Sequence, residues 1–329
     1  MSSDDKLSAE DRLIQKYFAP MASHPGALGL TDDAAFLSPP PGCDLVLKTD
    51  AIVGGVHFFN DDPADAVARK ALRVNLSDLA AKGAAPLGFL LSLALPDDIG
   101  AGWLQAFAAG LRDDAEHYRC PLFGGDTDRT PGPVTIAIAA FGSVPQGTMV
   151  RRAGARSGDR IFVSGSIGDA ALGLALRQGA GWTLTRDERD HLAARYLLPQ
   201  PRNALAEAVR LYASASMDVS DGLVGDLAKL ARVSGVAATV EVAKVALSDA
   251  GRAVLAADPA QIELVLTGGD DYEIVCTVAP GNVAAFLAAA QAAQVAVTEI
   301  GAIAAGEGTQ FLGAGGQALV FKRSAFSHF

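Results

Sequence analysis

A mixed α/β (α+β) chain in two domains is what this sequence predicts, on three grounds. Short apolar runs alternate with stretches of helical apolar spacing, the pattern of strands and helices packed in layers. Its 329 residues suit roughly two domains at the usual domain size. A polar, basic, Gly-bearing segment, "RRAGARSGD", breaks the alternation, so the boundary is expected near residue 150, dividing the chain into 1–150 and 151–329.

Ser8 followed by Asp11 opens a helix expected over residues 8–19, and a Gly/Pro/Asp-rich loop follows through 25–43. "DLVLKTD" reads as a strand ending at Asp50. Asp62-Pro63 supplies an N-cap and first-position pair for a long helix reaching about Lys82. On that helix Leu72, Leu76 and Leu79 share a face, beside a polar stripe of Asn75, Asp78 and Lys82. A strand "LGFLLSLAL", a helix near 98–118 capped by Asp97-Asp98, a short strand into "FGGDTD" and a buried strand "VTIAIAAFGSV" complete the first half.

The second half repeats the alternation. It opens with the strand "RIFVSG" and continues with helices from about Asp169, Pro201 and Ser220, then strands at "AATVEV" and "YEIVCTV". No fixed-period repeat is visible, although "FGGD" (123–126) and "TGGD" (267–270) echo each other.

Composition excludes several classes of function. Half of the residues are hydrophobic and 19% are charged, the profile of a folding chain rather than a disordered one. Twenty-seven Lys and Arg against 37 Asp and Glu leave a net charge of −10, which argues against diffuse attraction to nucleic acid or an anionic membrane. Cys43, Cys120 and Cys276 form no CxxC pair and read as reduced core residues. The acidic start "MSSDDKLSAEDRL" lacks the layout of a signal peptide, and no apolar run is long enough to span a bilayer, so a cytoplasmic location is expected.

The distribution of aspartates is the most informative feature. Asp32-Asp33, Asp50, Asp78, Asp126 with Asp128, Asp218 with Asp221, and Asp270-Asp271 mostly follow apolar stretches or Gly pairs, where α/β folds present groups to ligands. Convergent carboxylates need cations, and hard oxygen ligands at this density suit Mg²⁺ or Mn²⁺ with a nucleotide polyphosphate. Taken singly, each of these aspartates reads more readily as a turn or cap residue, and Asp221 as an N-terminal helix charge. The Gly-Gly-Asp turns allow close backbone approach to a phosphate, and plain tight turns are the alternative. "VSGSIGDAALGL" has a strand, Gly loop and helix start but lacks G-x-G-x-x-G, and it reads as packing first. No G-x-x-x-x-G-K-[ST] or protein-kinase motif set occurs. His57 is one of five histidines, none with zinc-site spacing.

In order, the segments "LTDDAAFL", "TDAIVGGVHF", "RKALRVNLSDLAAKGAAP", "LFGGDTD", "RRAGARSGDRIFVSGSIGDAALGL", "MDVSDGLVGDLAKLA", "LTGGDDYEI" and the terminal "FSHF" resemble the thiamine-monophosphate kinase family of the aminoimidazole-ribonucleotide synthetase superfamily, nearly end to end. The resemblance implies ATP-dependent phosphorylation of thiamine monophosphate by direct in-line transfer, with several Mg²⁺ ions and no phosphoenzyme. It also implies a homodimer whose N-terminal halves build a β-barrel across the dimer. Residues 1–150 would carry dimerisation and metal/ATP binding, and 151–329 would complete the ATP and substrate cleft.

By the same resemblance, Asp33, Thr49, Asp50, Asp78, Asp126, Asp218 and Asp221 match Mg²⁺-binding positions. Gly125, Asp126, Arg152 and Ser220 match ATP contacts, while His57, Asp270 and Phe326 match substrate contacts. No catalytic base is assigned, because the nucleophile is already an anionic phosphate oxygen. The chain departs from the family at Thr31 in "TDDA", where Gly is usual, at Lys48 in "KTD", where Ser is usual, and at Asp270, where Glu is common. Lys48 is expected either to stand in for a peripheral Mg²⁺ or to face solvent. Other ATP-using members of the superfamily, and a non-catalytic nucleotide or metal sensor, are the alternative readings.

Overall fold

Residues 8–322 are described by a computed structural model. The chain divides into two units, Met1–Leu79 with Ala85–Gly147, and Ala80–Ala84 with Thr148–Phe329. The expected opening helix is α1 (Ala9–Leu13), held by reciprocal Ser8–Asp11 bonds, and it loosens into a π-helical turn over Ile14–Phe18.

In the first unit, β1 (Cys43–Val53), β2 (Ala85–Leu95), β3 (Leu122–Arg129) and β4 (Thr135–Pro145) form a four-stranded sheet in the order β1-β4-β2-β3. β4 is antiparallel to both neighbours, and β3 joins β2 in parallel after the crossover helix α3 (Ala101–His117). Among the described residues this sheet is open, and no closed barrel occurs within the chain. β1 runs on to Val53, so Asp50 lies within the strand rather than at its end; the apolar Ala51-Ile52-Val53 continue the β pattern until Gly54-Gly55.

The helix α2 (Ala64–Ala81) buries Leu72, Leu76 and Leu79, as the spacing predicts. Its start differs in detail. The helix begins at Ala64, where the Val67 N–H donates to the Pro63 carbonyl at 3.0 Å, and the Asp62 carboxylate accepts from the Phe59 N–H at 2.8 Å. Asp97-Asp98 do not cap α3 either: the N-cap is Gly100, and Asp97 lies 3.6 Å from Arg129. Arg73 clamps α2 to α3 with a bidentate pair to the buried Asp114, at 2.6 and 2.9 Å.

The second unit carries a six-stranded sheet, in the order β10-β7-β9-β5-β8-β6. Its strands are β5 (Arg160–Ser164), β6 (Ala213–Val219), β7 (Ala237–Glu241), β8 (Glu273–Val278), β9 (Val297–Ala304) and β10 (Gly308–Leu312). Among the described residues, only the β10–β7 pair of this sheet is parallel. Both faces of the middle strands are covered. Ile161, Val163 and Val275 enter one apolar cluster, while Phe162, Ile274 and Cys276 enter another, so strand alternation feeds two cores and the sequence reads as a continuous apolar run.

The helices of this unit are α4 (Asp169–Arg177), α5 (Arg186–Leu197), α6 (Ala206–Tyr212), α7 (Leu223–Ser234), α8 (Asp249–Ala257), α9 (Ile262–Thr267) and α10 (Val283–Ala292). The helix expected from Pro201 starts only at Ala206, after a 3₁₀ turn over Asn203–Leu205. α5 carries a legible start, Thr185 with Glu188 in a reciprocal capping box.

Candidate active site

Strand β1 sorts the predicted residues by side. With an unbroken register against β4, Lys48 and Asp50 project from one face and Thr49 from the other. On the first face Lys48 Nζ lies 3.1 Å from Asp50 Oδ1 and 2.7 Å from Asp78 Oδ2, joining strand to helix α2. Together the two carboxylates hold the Lys48 ammonium protonated well above its ordinary range, against the opposing effect of burial. Asn75, fully buried one turn before Asp78, accepts from the Asp50 N–H at 2.9 Å and donates to the Ala71 carbonyl at 3.0 Å. One helix thus both fixes the backbone of Asp50 and supplies its carboxylate neighbour.

Thr49 lies on the opposite face, in a groove of about 820 Å³ that is also lined by Asp33, Gly125 and Asp126. Gly125 is dictated by packing, since a Cβ there would sit 1.8 Å from the Leu91 carbonyl oxygen on β2. The next residue, Asp126, lies beside Ser92 in the β2–β3 register and is exposed. His57 closes the turn after β1: its Nδ1 accepts from the Val53 N–H at 3.0 Å, which leaves the ring hydrogen on Nε2. Lys70 Nζ donates to the His57 carbonyl at 3.0 Å, fixing the turn from below.

In the second unit, β6 delivers the buried Asp218 and then the Ser220-Asp221 turn. The residue that shapes this turn is Asp226, fully buried in the first turn of α7, whose Oδ2 accepts from the N–H groups of Ser220 (3.0 Å) and Asp221 (2.9 Å). Lys229 Nζ bonds to Asp226 Oδ1 at 2.9 Å and also to Asp221. Burial pushes the Asp226 carboxyl up, and Lys229 and the Asp221 N–H pull it back. The spacing gave no warning of this role, for Asp226 reads as an ordinary residue of an amphipathic helix.

"GGDDYE" folds against the same turn. The Asp270 N–H donates to the Ser220 carbonyl at 2.9 Å, and the Tyr272 N–H to the Val219 carbonyl at 2.8 Å. Asp270 takes a left-handed backbone, φ 70°. The pair Asp270-Asp271 is divided in role. Asp271 is fully buried and accepts from the Gly168 N–H at 2.8 Å, and burial pushes its carboxyl well up. Glu273 is equally buried, held by Arg195 at 2.9 Å and by Arg202. These two acids anchor the loop and leave Asp270 half-buried as its presented carboxylate.

The Arg152 side chain is exposed, and Ser234 Oγ pins its loop by donating to the Arg152 carbonyl at 3.1 Å and accepting from the Gly154 N–H at 3.2 Å. Phe326 lies outside the described residues. The structure therefore brings together Asp50 with Asp78, Asp33 with Thr49 and Asp126, and Ser220 with Asp221 and Asp270.

Among the described residues no group of three or more His, Cys, Asp or Glu is gathered to hold a metal. Mg²⁺ rarely requires such a cage, because it commonly binds through one or two carboxylates, waters and substrate phosphates. Asp50 and Asp78 converge on one cation already, so this donor pair fits a hard divalent ion.

Comparison with known proteins gives the geometry its context. Residues 31–144 match the N-terminal domain, and residues 156–313 the C-terminal domain, of AIR synthase related protein. A thiamine-monophosphate kinase of Caulobacter vibrioides is 45% identical over 287 residues, covering 86% of this chain and 80% of that protein. The chain belongs to the thiamine-monophosphate kinase family. A crystal structure of thiamine-monophosphate kinase from Stenotrophomonas maltophilia superposes with a TM-score of 0.83 at 38% identity, covering 95% of this chain and 98% of that one. AaThiL complexed with AMPPCP and TMP superposes at 0.78 with 32% identity, covering 91% of each chain. As a thiamine-monophosphate kinase family member, the chain has the two-domain mixed α/β fold of the AIR synthase related proteins. No helix among its described residues is long and apolar enough to cross a membrane.

Proposed function

We propose that this chain transfers the γ-phosphoryl group of ATP to thiamine monophosphate, giving thiamine diphosphate and ADP. The observation that carries this reading is the likeness, over most of the chain, to thiamine-monophosphate kinases, AaThiL complexed with AMPPCP and TMP among them. In a direct in-line step, an oxygen of the acceptor phosphate bonds to the γ-phosphorus as the bond to the β–γ bridging oxygen breaks, and ADP leaves with that electron pair. No side chain has to remove a proton, because the nucleophile is already anionic.

Asp33, Thr49, Asp50, Asp78, Asp126, Asp218 and Asp221 are the proposed Mg²⁺ ligands. When bound, Mg²⁺ ions would neutralise phosphate charge and align the reacting oxygens. Gly125 and Ser220 would offer close backbone and hydroxyl contacts to the nucleotide beside Asp126, and Arg152 a fixed cation for its phosphates. His57, with its ring hydrogen on Nε2, and Asp270 would contact thiamine monophosphate.

The same reading proposes a homodimer whose N-terminal sheets close into a barrel. Its support is the open face of the four-stranded sheet, where Leu47 is 70% exposed with Leu45 and Leu90 on the same side. Light scattering during size exclusion should give twice the chain mass.

The decisive assay incubates the protein with Mg·ATP and thiamine monophosphate and measures thiamine diphosphate, with ADP release lacking acceptor as control. Thiamine diphosphate should accumulate only with acceptor and Mg²⁺ present, and chelation should stop it. Folded protein that yields no product would overturn the assignment.

A further inference from the structure

The position of Lys48 has a consequence for metal use. We infer that Lys48 is a resident cation of the Asp50–Asp78 pair, competing with a divalent ion for those two carboxylates and thereby setting this enzyme's divalent-ion requirement. The inference rests on the proposed assignment of Asp50 and Asp78 as metal ligands.

The pair is assembled by the fold rather than by the lysine. Asp50 is fixed from below by Asn75, and Asp78 stands one helical turn beyond Asn75 on α2. Lys48 reaches them because residues two apart on β1 share a face. Its Nζ contacts of 2.7 and 3.1 Å are ammonium spacings, whereas Mg²⁺ requires oxygens at about 2.0–2.1 Å. Both cations need the same oxygens. An ammonium that stays in place presents a like charge in direct contact with an incoming ion, and one that leaves surrenders two ion pairs. Either way metal binding at this pair is weakened, and an uncharged residue at position 48 should relieve the penalty.

Mn²⁺ binding to the nucleotide-free, full-length protein, followed by loss of the free-ion electron paramagnetic resonance signal, tests this directly. Lys48→Met should tighten Mn²⁺ binding by about tenfold or more, the order expected on removing a contacting like charge near a protein surface. Lys48→Arg, which keeps the charge, should bind as the wild type does, and adding Asp78→Asn to Lys48→Met should abolish the gain. Melting without metal should fall in Lys48→Met and be restored by Mn²⁺. Lys48→Gln serves as the second uncharged variant should Lys48→Met not fold. A wild-type isotherm in the uncharged variants, or a gain that survives Asp78→Asn, would overturn the inference. The titration contains no nucleotide or acceptor, so absence of kinase turnover would sink the proposed function while leaving this result readable.

Discussion

Replacing Asp226 with Asn tests whether a buried acid outside the predicted site holds the Ser220-Asp221 turn in place. The aspartate serves three donors at once: two backbone N–H groups at 3.0 and 2.9 Å on one oxygen, and the Lys229 ammonium at 2.9 Å on the other. An amide has one oxygen. Turned toward the backbone, it sets its own NH₂ against Lys229; turned toward Lys229, it leaves two N–H groups facing a donor. An unsatisfied buried group costs about 1–3 kcal/mol, and breaking a buried charge pair about 3–5 kcal/mol. The lower end applies, since Lys229 is partly exposed and keeps Asp221 as a partner. A loss of about 3 kcal/mol at about 2–4 °C per kcal/mol lowers the melting temperature by about 6–12 °C. Calorimetry measures that fall, and the KM for ATP should rise with it as the turn loosens. A melting temperature within about 1 °C of wild type would refute the stability argument. A large fall with unchanged KM would refute the link from Asp226 to the nucleotide.

Two further substitutions extend the reasoning to stability and pH. Asp114→Ala, which strips Arg73 and Arg69 of a buried partner, should cost about 3–5 kcal/mol, whereas Asp113→Ala, removing an exposed partner of Arg69, should cost under about 1 kcal/mol; equal melting temperatures for the two variants would contradict this. Because burial raises the Asp271 carboxyl well above its ordinary 3.8, the folded chain holds that proton to higher pH than the unfolded chain does. Stability from this group therefore falls as pH rises from the ordinary carboxylate range through the raised value, and Asp271→Asn should flatten the fall in a series of denaturant melts.

Local pattern carried much of the architecture into view. The apolar spacing of Leu72, Leu76 and Leu79 gave α2, and the short apolar run "VTIAIAAFGSV" gave β4, because burial of a helix stripe or a strand leaves a mark within a few residues; that β4 buries only alternate residues came from the structure. β6 was harder to see: "ASASMDV" has few β-branched or aromatic residues, and its strand character comes from antiparallel pairing with β8. Of the three cysteines read as reduced core residues, Cys120 and Cys276 are buried, and burial pushes each thiol up to about 12, whereas Cys43, at the start of β1, is only partly buried.

At the site, the sequence alone determined which residue types were available: hard oxygen donors at strand and turn positions, Gly-Gly-Asp turns, and an ordered motif set nearly end to end. Tertiary structure decided how they were used. It made Asp271 and Glu273 buried anchors and left Asp270 as the presented carboxylate. It set Thr49 and Asp50 on opposite faces of one strand, gave Asp226 its hold on a turn, and placed the Lys48 ammonium between Asp50 and Asp78. The reason is range: periodicity reports the environment of residues a few positions apart, whereas charge pairing depends on which distant segments the packed strands and helices bring within about 3–4 Å.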